Sequence, residues 1–459
     1  VYTQENCKEH GILFLGQKSH AAYTCLIPIM HWFATYDKDY ARENYYDFVF
    51  NTAAFWEDYL VKKNGRYLIK NDAAHEIPYY RCEKFRYITH KGQIEAVNAI
   101  NSLGLVKLLF QGVYDMAKEL GLNSEKYALW EDINKNLSDF PTFIKKGKKC
   151  FRYSKRGIRW RDDNTVGLQH IYPASQIGFA SGEELLRIAR NTYFINDRRL
   201  DDNGSNSYLP AGARIGVDPE FVLEGIRMNI REFGLPNRLF RHHGGGIEHL
   251  TTVPATVNEM LLQGHEGIIR LFPCWNRKMY ASFENLRADG AFLVSSELKN
   301  GKITYAKIQS LKGRLCRVDC PDTVSITKED KTEIPFEKNG NIVSFETKEN
   351  ETYILKDILI TSQPVGVVVD NIIEKVSFTF GVTAEQVKSE KRDSNINSAR
   401  QAAMYIIREI TNLSQEEVGK IFGRNHSTVN SSLKNVQQKM ASDSKYKNLI
   451  NDIIKNIND

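Results

Sequence analysis

Phe422-Gly423-Arg424-Asn425-His426-Ser427-Thr428-Val429 is the stretch on which the reading of this chain turns. Before it, Ser414 and Glu417 have capping-box spacing for a short helix that buries Val418, Ile421 and Phe422. Gly423 marks a tight turn. A second helix beginning near Ser427 buries Val429, Leu433 and Val436. Such a helix-turn-helix presents the first residues of its second helix to base edges, here Asn425, His426, Ser427 and Thr428. An Asn can pair bidentately with adenine, and a Thr methyl can meet a thymine methyl. Lys420, Arg424 and Lys434 flank that face and suit phosphates.

Two helices precede the pair. Val367–Phe380 turns Ile372, Ile373 and Val376 inward, and Ala399–Thr411 does the same with Ala403, Ile406, Ile407 and Ile410. Arg400, at the start of the latter, could reach a neighbouring minor groove. Further upstream the pattern differs. From about residue 20 to 265, long helices alternate with aromatic-rich loops: Ala41–Leu60 with Tyr45, Phe48, Ala53, Phe55 and Trp56 as its apolar stripe, Gln93–Leu120, Glu183–Asn191, Pro219–Phe233 and Pro254–Gln263. Repeated helical hairpins of this kind predict an incomplete α/α toroid. Near residue 267 the period shortens to two. Ile268–Phe272, Ala291–Glu297, Ile303–Gln309, Leu315–Val318, Thr323–Ile326 and Ile342–Glu346 predict a small antiparallel β-sandwich. The expected organisation is a partial toroid over 1–265, a sandwich over 266–355, a linker over 356–365 and an all-α DNA-binding domain over 366–459.

Composition sets bounds on function. A net charge of +6 over 459 residues is mild, so nucleic-acid affinity has to be local. All five tryptophans lie upstream of residue 276. The seven cysteines are scattered, and Cys316 and Cys320 have no histidine or second pair beside them, so buried thiols in a reducing, cytoplasmic setting are expected and no metal or cofactor is. No run of eighteen apolar residues predicts a membrane span. There is no Gly-x-x-x-x-Gly-Lys-Ser/Thr phosphate loop.

Upstream, His242-His243-Gly244-Gly245-Gly246-Ile247-Glu248-His249 sets one carboxylate among histidines and glycines. Asp72-Ala73-Ala74-His75-Glu76 offers another. Glycoside hydrolysis needs two carboxyl groups, an acid on the leaving oxygen and a partner that activates water or attacks. Glu76 and Glu248 are the candidates for those roles.

Residues 365 to 440 resemble the C-terminal DNA-binding domain of the bacterial replication initiator DnaA. The resemblance rests on Lys388-Ser389-Glu390-Lys391-Arg392, Ala399-Arg400-Gln401-Ala402-Ala403-Met404, Arg408-Glu409-Ile410-Thr411 and the stretch at 422–429. It implies that Arg400 reads the minor groove and that Asn425, His426, Ser427 and Thr428 read the major groove of double-stranded DNA carrying a box like the initiator's. Asn425 and Ser427 replace the family's usual Asp and first Thr, and one glycine before Arg424 is absent. Residues 20 to 355 are similar to the latter part of glycoside hydrolase family 95, the α-L-fucosidase group. Phe55-Trp56-Glu57-Asp58-Tyr59-Leu60, Gly244-Gly245-Gly246-Ile247-Glu248, Asn258-Glu259-Met260-Leu261-Leu262-Gln263, Ile269-Arg270-Leu271-Phe272-Pro273 and Gly290-Ala291-Phe292-Leu293-Val294-Ser295 carry that likeness. It implies a general acid at Glu76, water activation at Glu248 and a fucosylated or related glycan as substrate. Counterparts of the family's water-holding Asn pair, its N-terminal β-domain and its first hairpins are absent from this sequence. Three readings follow: a DNA-binding protein with a glycosidase-derived passenger, a glycosidase with an appended DNA-binding module, or a chimaeric reading frame, since two domain ends abut within about ten residues.

Overall fold

The computed structural model describes residues 17–74, 97–162, 164–200, 205–237, 239–241, 247–320, 325–356, 364–391, 393–411 and 413–458. The chain divides into two compact units, Val1–Trp275 with Met279–Ser362, and Gln363–Asp459 with Asn276–Lys278. Its order is helical first, then β-sheets, then helical again.

The first unit starts with α1 (His20–Thr24), α2 (Leu26–Thr35), α3 (Lys38–Asn44) and α4 (Tyr46–Tyr59). The single helix expected from Ala41 to Leu60 is two. Asp37 caps α3 by accepting the Tyr40 N–H, and Tyr45 leaves helical geometry at φ −146°, its hydroxyl 3.1 Å from His31 Nδ1. The expected stripe splits as well. Ala53 and Trp56 are fully buried, whereas Phe48 and Phe55 are exposed. Following are α5 (Ile100–Leu120), α6 (Tyr127–Asn136), α7 (Glu183–Asn196), α8 (Ser205–Arg214), α9 (Pro219–Phe233) and α10 (Ile247–Leu261). The segment expected to begin α5 from Gln93 lies partly outside the described residues. Its described part opens as the strand Val97–Ala99 before the helix starts at Ile100. Pro254, expected to open a helix, sits inside α10 instead. Proline forfeits the backbone bond there, and packing of α10 against α8 outweighs that local preference.

Trp32, Trp56 and Trp130 are wholly buried in the helical core with Leu103, Val106, Leu109 and Phe110. Trp130 donates its indole N–H to Glu57 at 2.7 Å, and Lys126 pairs with the same carboxylate at 2.6 Å. These tryptophans are therefore scaffold rather than sugar platforms.

Beyond α10, after the short antiparallel pair of Leu262–Gln263 with Arg270–Leu271, the described residues of the β region form two larger antiparallel sheets. The larger is ordered Ser325–Lys328, Thr352–Lys356, Lys302–Ser310, Phe292–Lys299 and Ala281–Ala288; the smaller is ordered Cys316–Asp319, Ile342–Phe345 and Glu337–Asn339. Val294, Ile308 and Leu355 of the larger share one apolar core with Val318, Val343 and Phe345 of the smaller. The Ala281–Ala288 strand escaped sequence pattern because its alternation breaks at Glu284 and Asn285, both exposed, with Asn285 at φ 55°.

The second unit holds α11 (Val365–Phe380), α12 (Ala384–Lys388), α13 (Ser394–Ile410), α14 (Gln415–Phe422), α15 (His426–Ser442) and α16 (Ser444–Asn458). Ile372, Ile373, Val376, Ala403, Ile406 and Ile407 are buried as the pattern predicts, together with Tyr446, Ile450 and Ile453 from α16. Helix α13 starts five residues earlier than expected, because Asp393 caps it by accepting the Asn395 and Ile396 N–H groups. Arg400 is thus mid-helix.

Candidate nucleic-acid interface and upstream carboxylates

The turn between α14 and α15 is held from both sides. Ser414 and Glu417 form the reciprocal capping box that starts α14. Gly423 closes the helix at φ +61°, a conformation cheap only for glycine. Gly419 permits the close return: its carbonyl accepts the Arg424 N–H at 2.8 Å, and a Cβ there would lie 2.4 Å from the Arg424 carbonyl oxygen. Val418, Phe422, Val429 and Val436 lock the two helices into one core, while Leu433 is only partly buried.

At the start of α15, Asn425 is the N-cap. Its Oδ1 accepts from the Thr428 N–H at 2.9 Å, from Ser427 Oγ at 2.9 Å and from Thr428 Oγ1 at 2.7 Å. Asn425, His426 and Ser427 are exposed and Thr428 is half-buried. Lys420 and Lys434 are exposed as well, Lys420 sharing a 3.0 Å surface pair with Glu416.

Arg424 and Arg400 do something the sequence did not reveal. Arg424 Nη2 donates to the Ser389 carbonyl at 3.2 Å. Arg400 is only 4% exposed; its Nε donates to Val387 O at 2.8 Å, and its Nη2 to Ser389 O at 2.7 Å, Lys391 O at 3.0 Å and Gln386 O at 3.3 Å. Burial, with the charge of Arg424 nearby, holds Arg400 below the ordinary guanidinium range. Two arginines therefore converge on one carbonyl and dock the loop after α12 beside the start of α15. The end of α12 and that loop bring Lys388, paired with Asp370 at 3.1 Å, and Lys391, which is exposed, to the same edge. Sequence reading quoted these lysines without placing them there.

Upstream, Glu76 lies outside the described residues, as do His242, His243 and the glycines that follow them; Glu248 stands at the start of α10 with its side chain outside them too. Asp72 is buried and accepts the Lys18 backbone N–H at 2.8 Å, and burial raises its carboxyl to about 6. Glu259 is spent on a buried bidentate pair with Arg214, at 2.9 and 2.6 Å. Among the described residues no three His, Cys, Asp or Glu side chains come together as a metal requires, and no helix is long and apolar enough to cross a membrane. The five described cysteines are buried and unpaired.

Two separate stretches of the chain match known families. Residues 369–436 match the family described as bacterial dnaA protein helix-turn-helix, and residues 263–355 match the C-terminal domain of glycoside hydrolase family 95. Among curated proteins the chain is 38% identical over 105 residues to the chromosomal replication initiator protein DnaA of Lachnoclostridium phytofermentans, which is 23% of each protein. It is 30% identical over 173 residues to the DnaA of Thermodesulfovibrio yellowstonii, 38% of this chain and 34% of that one. The chain thus spans between about a quarter and a third of the curated relatives it matches. Solved structures similar to it include a putative kojibiose phosphorylase from human microbiome, with a TM-score of 0.37 and 10% identity over 72% of this chain and 49% of that one. A second is the Streptomyces avermitilis α-L-rhamnosidase complexed with L-rhamnose, with a TM-score of 0.40 and 13% identity over 72% of this chain and 32% of that one.

Proposed function

We propose that residues 366–459 form a helix-turn-helix domain that binds double-stranded DNA in a sequence-dependent way. The observation that carries this is the match over 369–436 falling on a helix start whose polar side chains are exposed. His426, Ser427 and Thr428 face base edges, with Asn425 holding them in place. Because the Ser427 and Thr428 hydroxyls donate inward to Asn425, their outward lone pairs accept, which suits the exocyclic amino groups of adenine and cytosine in the major groove. Lys420, Arg424 and Lys434, joined by Lys388 and Lys391, take phosphates. Arg400 fixes the end of α12 and the loop after it, which carry those two lysines, and leaves only Nη1 for a minor groove. Binding free energy then comes largely from phosphates and falls steeply with salt. Titration of a labelled duplex carrying the initiator's box, against a scrambled duplex and at several salt concentrations, tests this; equal affinity for both duplexes refutes it.

A second reading, favoured by the match over 263–355, is an inverting glycoside hydrolase of the α-L-fucosidase group. In it a partial α/α toroid over 1–265 and a β-sandwich over 266–355 frame Glu76 as general acid and Glu248 as the water-activating base. Turnover of an aryl α-L-fucoside by the chain, abolished in Glu76→Gln, is its test. The match covers the β region and neither carboxylate, so DNA binding is the reading with the stronger support.

A further inference from the structure

A cleft of about 1080 Å³ runs between the helical part of the first unit and its β region. Its floor is a finished ion pair. Arg214, 4% exposed, holds Glu259 in the bidentate contact above, gives Nη1 to Ile171 O at 3.0 Å and Ser175 Oγ at 2.7 Å, and lies over the Tyr172 ring at 4.7 Å. Beside it stands His265, 6% exposed, with neither ring nitrogen hydrogen-bonded. Burial, together with Arg214 and Arg270, keeps His265 neutral. Glu266 is neutralised by Arg270 at 2.9 Å.

The walls carry an excess of cations. Arg314 pairs with Glu119 at 2.7 Å and stacks on Tyr36 at 3.7 Å, and Arg287 gives Nη1 to Ala34 O at 3.0 Å. Lys107 on α5 and Arg317 on the Cys316–Asp319 strand also line the cleft, and among the described residues neither side chain makes an ion pair or hydrogen bond. A half-buried ammonium is costly; burial, aided by Arg66 and opposed by Asp139, pulls Lys107 below its ordinary range. Between the cations lie the amides of Gln111 and Gln176, 3.0 Å apart. Cationic walls and amides form a surface made for a molecule that is anionic at one end and rich in hydroxyls elsewhere.

We infer that this cleft binds an anionic sugar, its charged group drawn to the cationic lining that includes Lys107 and Arg317 and its hydroxyls to Gln111 and Gln176. The charge can be a carboxylate, as in a hexuronate, or a phosphate ester. The inference is independent of the DNA reading and of Glu76 and Glu248.

The test is calorimetric titration of the full chain with glucuronate, glucose 6-phosphate, glucose and inorganic phosphate. At least one of the two anionic sugars should bind in the millimolar range, with glucose about tenfold weaker or silent, since a charge-assisted contact is worth about one order of magnitude in affinity. Arg317→Gln, at an exposed position, should weaken the tighter anionic sugar about tenfold without moving the unfolding midpoint, and Lys107→Met should do so too if it folds. Binding of glucuronate alone assigns the carboxylate, and of glucose 6-phosphate alone the phosphate. Glucose binding as well as either anionic sugar, inorganic phosphate binding as well as both, no heat from either, or undiminished binding by Arg317→Gln would each overturn the inference.

Discussion

Replacing Arg400 with methionine separates two roles that a sequence cannot separate. In the structure its Nε and Nη2 are committed to four backbone carbonyls between Gln386 and Lys391, the two shortest contacts at 2.7 and 2.8 Å. A hydrogen bond from a charged donor contributes about 1.5–3 kcal/mol, and a buried carbonyl left without a donor costs about 1–3 kcal/mol. Methionine recovers part of this because no guanidinium then has to be desolvated. Counting the two short contacts fully and the two longer ones as partly exposed gives a net loss of about 2–4 kcal/mol. For a unit of this size that lowers the unfolding midpoint by roughly 10–25 °C. Since every tryptophan lies upstream of residue 276, tryptophan fluorescence does not report on residues 364–458. Hydrogen exchange read by mass spectrometry on peptides from 364–458 does, and protection should fall there and remain unchanged over 97–162. Arg400→Lys, which keeps the charge and loses the planar fork, should be destabilised nearly as much. The reasoning is refuted if Arg400→Met leaves exchange over 384–410 unchanged while weakening DNA binding, because the guanidinium would then be free for the minor groove.

Three further outcomes follow from the same geometry. Gly419→Ala brings a Cβ to 2.4 Å from the Arg424 carbonyl oxygen and should cost about 2–3 kcal/mol by overpacking. Gly423→Ala meets no atom within 4 Å and should cost only the left-handed backbone penalty of about 1 kcal/mol; denaturant titrations that rank the two in the opposite order contradict the turn described. Asn425→Ala should lose about 1 kcal/mol of helix-cap stability, whereas Asn425→Asp keeps the cap and gains slightly from the helix dipole, so equal midpoints for the Ala and Asp variants would show that the cap is idle. Asp289, which lines the cleft, has its carboxyl pushed up to about 7 by burial, opposed by Arg214 and reinforced by Glu259. Because the folded state binds that proton more tightly than the unfolded chain, stability falls as pH rises from about 4 to about 7 and stays low above it. Asp289→Asn should therefore raise the unfolding midpoint at pH 8 and leave it nearly unchanged at pH 4, and no gain at pH 8 would count against a destabilising carboxylate there.

How much of this was legible in the sequence depends on whether the determinant is local. The capping box at Ser414 and Glu417, the stop at Gly423 and the inward faces of α11 and α13 are set by residues three or four apart, and each is visible in the chain. Strand period was visible for Phe292–Lys299 and Lys302–Ser310 and was lost where Asn285 breaks the Ala281–Ala288 alternation. Tyr45 ended a helix through contact with His31, fourteen positions away, which no periodicity announces. Arg400 was legible as an arginine near a helix; that Val387, Ser389 and Lys391 turn their carbonyls onto it was not. The cleft was wholly illegible, for Lys107, Arg214, Glu259, His265, Asp289 and Arg317 share no motif and meet only through the packing of α5, α8 and α10 on the β region.

Asn425 shows how a substitution inside a motif can keep structure and alter chemistry. An aspartate at this position would cap α15 through the same acceptor geometry, because the cap uses Oδ1 alone and leaves the second polar atom of the side chain outward. In aspartate that atom is a second acceptor carrying negative charge, which faces a phosphate-lined groove at a disadvantage and pairs with base amino groups. In Asn425 it is Nδ2, a neutral donor whose partners in the major groove are the N7 and O6 of guanine, the N7 of adenine and the O4 of thymine. The fold of the turn is thus indifferent to the exchange, whereas base preference is not. Asn425→Asp should therefore keep hydrogen-exchange protection of the unit, with at most the slight gain the helix dipole gives, and reorder the affinities of duplexes that differ at the base pair facing position 425.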